Sequence, residues 1–115
     1  MALAPAELYR QEIHRAVLIS EGRDFYTSEP LNWGLLSKYR NELSMHGRKS
    51  YKKTFALLPT VDHVGDAEGR PRFAICGWRT NDSKSEMSYR EFVELCSMVL
   101  KTAEGREELI NLHSS

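Results

Sequence analysis

Two short apolar runs, a glycine-containing polar stretch between them and a helix-start signature after them constrain this chain more than anything else in it. The first run, from Phe55 to Val64, is interrupted by Pro59. Proline has no N–H to give a sheet ladder, so the reading starts the strand at Thr60 and ends it at Asp62-His63. Gly65-Asp-Ala-Glu-Gly69, running on to Pro71, is turn chemistry. A second apolar run over residues 72–78 returns, and two strands joined by a short glycine-bearing connector predict an antiparallel hairpin. Ser88-x-x-Glu91 has the form of a capping box, opening a helix over 88–103 with Phe92, Leu95, Cys96 and Val99 on one face and Gly105 beyond its end. The order is strand, turn, strand, helix.

The N-terminal half predicts two helices. Residues 4–20 carry Pro5 in the first turn and Ala6, Tyr9, Ile13, Ala16 and Val17 at helical spacing, with Arg10, Glu12 and Arg15 off that face. Glu21-Gly-Arg-Asp24 breaks that helix. Asn32 is a good N-cap for a second helix over 33–44, with Trp33 and Tyr39 as packing residues. Residues 46–53 form the densest basic segment, with Arg48, Lys49, Lys52 and Lys53 around Tyr51. They read equally as a phosphate-gripping loop and as a solvated connector.

At 115 residues the chain is expected to form one domain, residues 1–54 supplying helices and basic connector and 55–103 the hairpin and its helix. That length supports a core without disulfide or zinc staples. Cys76 and Cys96 form no C-x-x-C pair and read as reduced core residues. Neither a signal peptide nor a membrane span is legible, so a cytoplasmic setting is expected. The formal net charge is zero, which removes a global basic signature, yet residues 31–84 hold ten Lys/Arg against five Asp/Glu. A basic middle between acidic flanks fits an anionic ligand.

The hairpin carries the candidate chemistry. Neighbouring residues of a strand face opposite sides, so Asp62 and His63 present a carboxylate and an imidazole in different directions. Asp62 is a hard oxygen ligand suited to Mg2+ or Mn2+. His63 suits a general base near neutral pH. Asn81 offers a second, neutral oxygen ligand, and Arg79 and Lys84 are placed to stabilise charge on a phosphoryl transition state. The bland alternative is a strand-end pair bonded to a turn, with Asn81 as a helix cap.

Val-Asp62-His63-Val, a hairpin, Phe-x-Ile-Cys and Asn81-x-x-Lys84-Ser85-Glu86-x-Ser88 together resemble the HNH nuclease family. The resemblance covers about a third of the chain. It implies an α+β fold with a ββα-metal hairpin-helix core, two N-terminal helices and a long C-terminal helix. It implies one divalent metal, Mg2+ or Mn2+, on Asp62 and Asn81, with His63 activating water and Lys84 at a basic position common after that Asn. The turn at residues 26–31 is similar to one that carries zinc-binding cysteines in many relatives; here those cysteines are absent. The middle signature residue, Asn or His in the family, falls at Pro71 or Arg72.

The activity expected from this is metal-dependent hydrolysis of phosphodiester bonds in nucleic acid, DNA first, with catalysis by His63, Lys84 and Arg79 and nucleic-acid binding by Arg48, Lys49, Lys52 and Lys53. A domain with so little DNA-reading surface leaves target recognition to a protein partner. The alternative, given the altered middle residue, is a catalytically inactive HNH-like module that binds nucleic acid or protein.

Overall fold

The computed structural model describes residues 5–37 and 53–107. In chain order these form helix α1 (Pro5–Ser20), a 3-10 turn (Trp33–Ser37), strands β1 (Pro59–Ala67) and β2 (Arg70–Gly77), a short helix α2 (Trp78–Lys84) and helix α3 (Tyr89–Gly105). The class is α+β, with one two-stranded antiparallel sheet, β1 against β2. The chain divides into two compact units, residues 1–85 and 86–115. Among the described residues no helix is long and apolar enough to cross a membrane.

The hairpin is longer than the sequence predicts. Pro59 pairs with Gly77, so β1 begins one residue before Thr60. Nor does β1 end at His63: a bulge between His63 and Gly65 lets the ladder continue through Gly65↔Arg72 and Ala67↔Arg70. The turn is therefore only Glu68-Gly69, with φ 55° and 74°. Two successive residues at positive φ match the twist of a two-residue hairpin, and Gly69 takes that conformation without steric cost. Gly65-Asp66-Ala67, turn-like in composition, is strand because the bulge absorbs the irregularity. At the other end β2 stops at Gly77 and Trp78 already belongs to α2.

Cross-strand partners share a face of the sheet. Thr60 with Cys76 and Asp62 with Ala74 occupy one face; Val61 with Ile75 and His63 with Phe73 occupy the other. The second face packs on α1, where Ala16, Leu31 and Ile75 are buried together beneath Val17, Trp33, Leu57 and Phe73. A second small cluster joins Phe55 and Leu58 to Leu35 and Trp78. Helix α1 differs from expectation at Glu12, which is buried rather than solvated because Arg70, at the start of β2, places its guanidinium 3.0 Å from the carboxylate. The expected second helix over 33–44 is a five-residue 3-10 turn as far as Ser37; its remainder, Tyr39 included, lies outside the described residues.

Asp24 ties the loop after α1 to the start of α2, beside a backbone bond from the Phe25 N–H to the Ile75 carbonyl. Asp24, 2% exposed, accepts the N–H groups of Tyr26 (2.7 Å) and Thr27 (3.0 Å) on Oδ1. Its Oδ2 accepts the Gly77 N–H and the Thr80 hydroxyl, both at 2.8 Å. The turn at residues 26–31 is thus stapled to the β2–α2 junction by a carboxylate. Gly77 is required there by close approach: a Cβ would lie 2.6 Å from the Ala56 carbonyl oxygen. Gly77→Ala is expected to cost about 1–3 kcal/mol, read as a lower midpoint in urea at unchanged slope.

The second unit is built on α3. Ser88 caps it as the sequence predicts: its hydroxyl accepts the Glu91 N–H at 3.1 Å while the Glu91 carboxylate accepts the Ser88 N–H at 3.0 Å. No residue of α3 is buried, so Leu95, Val99 and Cys96 are exposed where a packed face was expected. The two thiols therefore differ. Cys76 is fully buried, and burial pushes its pKa from 9.0 to about 11, against the lowering effect of the Thr60 hydroxyl. A thiol reagent at pH 8 is expected to titrate Cys96 quickly and Cys76 only after denaturation. Because the folded pKa is the higher one, the associated stability is intact below about 9 and is lost as pH rises toward about 11. Two equally fast thiols would contradict this packing.

Candidate functional site

Alternation along β1 sends Asp62 and His63 to opposite faces. Asp62 lies with Thr60 on the face covered by α2; His63 lies with Phe73 on the face covered by α1. Helix α2 brings two of the expected residues to Asp62's side. Asn81 donates its amide nitrogen to Thr60 Oγ1 at 3.2 Å and to the Val61 carbonyl at 3.5 Å. Lys84, the last residue of α2, reaches Asp62.

That contact is a buried ion pair. The Lys84 ammonium lies 3.2 Å from Asp62 Oδ2 and 3.3 Å from Oδ1, with side-chain exposures of 3% and 8%. The Tyr26 hydroxyl donates to Oδ2 at 2.6 Å. Among the described residues no buried side-chain nitrogen or oxygen lacks a partner. Asp62 is therefore satisfied from within: its charge is balanced by one ammonium, and both oxygens already accept. Taking this carboxylate out of water is costly, and only a partner with good geometry offsets that cost.

His63 is in a different setting. It is exposed, its Nε2 lies 3.2 Å from Asp66 Oδ1, and its ring lies tilted 5.2 Å from the Phe73 ring and edge-on 6.5 Å from the Tyr9 ring. Asp66 reaches it because the bulge puts both residues on one face of the hairpin, opposite Phe73 and Pro71, which lie two apart on β2. Arg79 is exposed and ion-paired with Glu29, whose carboxyl is held below its usual pKa by the Arg79 guanidinium. This pair fades as pH falls through the depressed pKa of Glu29, and its exposure to water makes it a minor stabiliser. Pro71 and Arg72 lie on β2 opposite Asp66 and Gly65. Of the basic segment only Lys53 is described, and it is exposed; Arg48, Lys49 and Lys52 lie outside the described residues.

A divalent metal at this place needs free oxygen ligands. Asn81 turns its N–H groups, not a free carbonyl, to the strand. Asp62 is filled by Lys84 and Tyr26. Among the described residues no group of three or more His, Cys, Asp or Glu is arranged to hold a metal. The residues present do not fit the expected ion. The sequence reading missed Tyr26 and Asp24. Asp24 had a local signal, since an Asp with free N–H groups two and three residues on is an Asx turn; nothing local marks Tyr26.

No protein-family model, no curated protein and no solved structure matches this chain.

Proposed function

We propose that this chain is an HNH-like module that binds nucleic acid, DNA first, without hydrolysing it. The observation that carries the reading is the engagement of Asp62 by Lys84 and Tyr26, with His63 on the opposite face of the hairpin. The hairpin-then-helix order with Asn81 on α2 supports the likeness to the HNH core, and the excess of Lys and Arg over residues 31–84 supports an anionic ligand. Binding of a labelled duplex should weaken linearly with log salt. Neutralising two of Arg48, Lys49, Lys52 and Lys53 should reduce that slope by about 0.9 per lost contact. Plasmid with Mg2+ or Mn2+ should remain supercoiled. Absence of DNA binding at low salt would move the reading to a protein-interaction module.

A second reading is metal-dependent hydrolysis, favoured by the placement of Asp62, Asn81 and Lys84 on one side of the hairpin. Mn2+-dependent nicking that falls on the order of 10²–10⁴-fold in His63→Ala would establish it in place of the first.

A further inference from the structure

The HNH likeness calls for a divalent ion on Asp62, and the contacts around that carboxylate give a different answer. We propose that Lys84 is the resident cation of this site: its ammonium neutralises Asp62 and keeps a divalent metal out. The inference rests on the non-cleaving reading and assigns a cause to it.

Three observations carry it. Lys84 Nζ bridges the two Asp62 oxygens at 3.3 and 3.2 Å, so the direction from which a bidentate metal would approach is taken. The pair is buried on both sides, which makes the ammonium a fixed charge in a weakly screened setting rather than a mobile surface lysine. A dication beside it would meet like-charge repulsion in addition to losing the carboxylate it needs. Finally, the remaining oxygen neighbour is a donor: Tyr26 gives its hydroxyl proton to Oδ2. The set is closed at zero net charge, one carboxylate against one ammonium.

Lys84 is also the C-terminal residue of α2 while Asp62 is central in β1, so the same contact pins the helix to the hairpin. A metal in this place would hold the two elements together; here the side chain does so without one.

The test is Mn2+ binding, measured by calorimetry and by the melting temperature, on wild type and on Lys84→Met. The variant keeps the methylene packing and leaves Asp62 as a buried uncompensated carboxylate. Wild type should show no Mn2+-dependent rise in melting temperature at millimolar ion. Lys84→Met should be destabilised, and Mn2+ should restore part of the loss with an affinity at least about tenfold above wild type, since a buried charge without a partner favours any cation that reaches it. Asp62→Asn/Lys84→Met should lose that response. Equal Mn2+ affinity in wild type and Lys84→Met overturns the proposal, as does a folded Lys84→Met that gains no binding. Should Lys84→Met fail to fold, paramagnetic broadening in wild type decides. Lys84 and Asp62 resonances that stay sharp in Mn2+ support the resident cation, and selective broadening at both overturns it. Failure here leaves the DNA-binding slope untouched, so the two readings fall separately.

Discussion

Asp62→Ala is expected to destabilise the protein by about 3–5 kcal/mol, the cost typical of removing one partner from a buried ion pair. The substitution strands the Lys84 ammonium, 3% exposed, and removes the acceptor of the Tyr26 hydroxyl. For a unit of this size the loss corresponds to a fall in melting temperature of more than about 10 °C. A carboxylate kept for metal binding predicts the opposite, because functional charges are usually held at some expense to stability and their removal is neutral or stabilising. The controls follow from the same physics. Asp62→Leu/Lys84→Met removes both charges and should recover most of the loss, since apolar replacements of buried ion pairs are often neutral. Tyr26→Phe removes one hydrogen bond to a charged group, on the order of 1.5–3 kcal/mol. If Asp62→Ala melts within a few degrees of wild type, the buried pair is not what holds α2 to the hairpin.

How much of this was legible beforehand depends on whether the determinant was local. The hairpin was, because two apolar runs separated by turn residues have few other folded solutions. The start of α3 was, because Ser88 and Glu91 complete a reciprocal pair within one turn. The end of β1 was not. Gly65, Asp66 and Ala67 have the composition of a turn, and only the register shift after His63 shows that the ladder passes through them. Over residues 33–37, the described part of the expected second helix, Leu35 and Leu36 suit a helix, yet the backbone takes 3-10 geometry, and the Asn32 N–H is committed to the Leu57 carbonyl at 2.9 Å.

The site shows a sharper division. Alternation along a strand is a local rule, so the opposite directions of Asp62 and His63 follow from their adjacency alone. The partners of Asp62 are not local: Lys84 lies 22 residues away and Tyr26 36 residues away. A lysine near an Asp-His pair suits a phosphate in general. The fold gives the same charge to the carboxylate. Glu12 repeats the lesson, since a charged residue off the apolar stripe of α1 is buried by Arg70, 58 residues on. A long-range ion pair reverses the solvent-facing assignment that periodicity makes for each member separately.

The other large effect is expected at Asp24. Asp24→Ala should leave the first unit largely unfolded, because this side chain accepts four hydrogen bonds, two from the Tyr26-Thr27 turn and two from the β2–α2 junction. Two of its donors are backbone N–H groups in the turn, one is the N–H of the buried Gly77, and the fourth is the Thr80 hydroxyl, 5% exposed. Leaving a buried donor unpaired costs about 1–3 kcal/mol each, and hydrogen bonds to a charged acceptor are at the strong end. Even partial rehydration leaves a loss above about 4 kcal/mol, which is close to the whole stability of many small domains. The isosteric change is more informative. Asp24→Asn retains one carbonyl oxygen but turns an NH2 group toward either the turn N–H pair or the Gly77 N–H. The Thr80 hydroxyl can rotate to accept, and a backbone N–H cannot. Asp24→Asn should therefore be clearly destabilised despite identical shape, while Thr80→Val, which removes one donor and leaves the other three bonds, should lose only about 1 kcal/mol. The order Thr80→Val, Asp24→Asn, Asp24→Ala in urea midpoints, with a chelator leaving wild type unchanged, is the signature of a carboxylate staple. Were Asp24→Asn as stable as wild type, the charge on this residue would have no part in closing the loop onto α2.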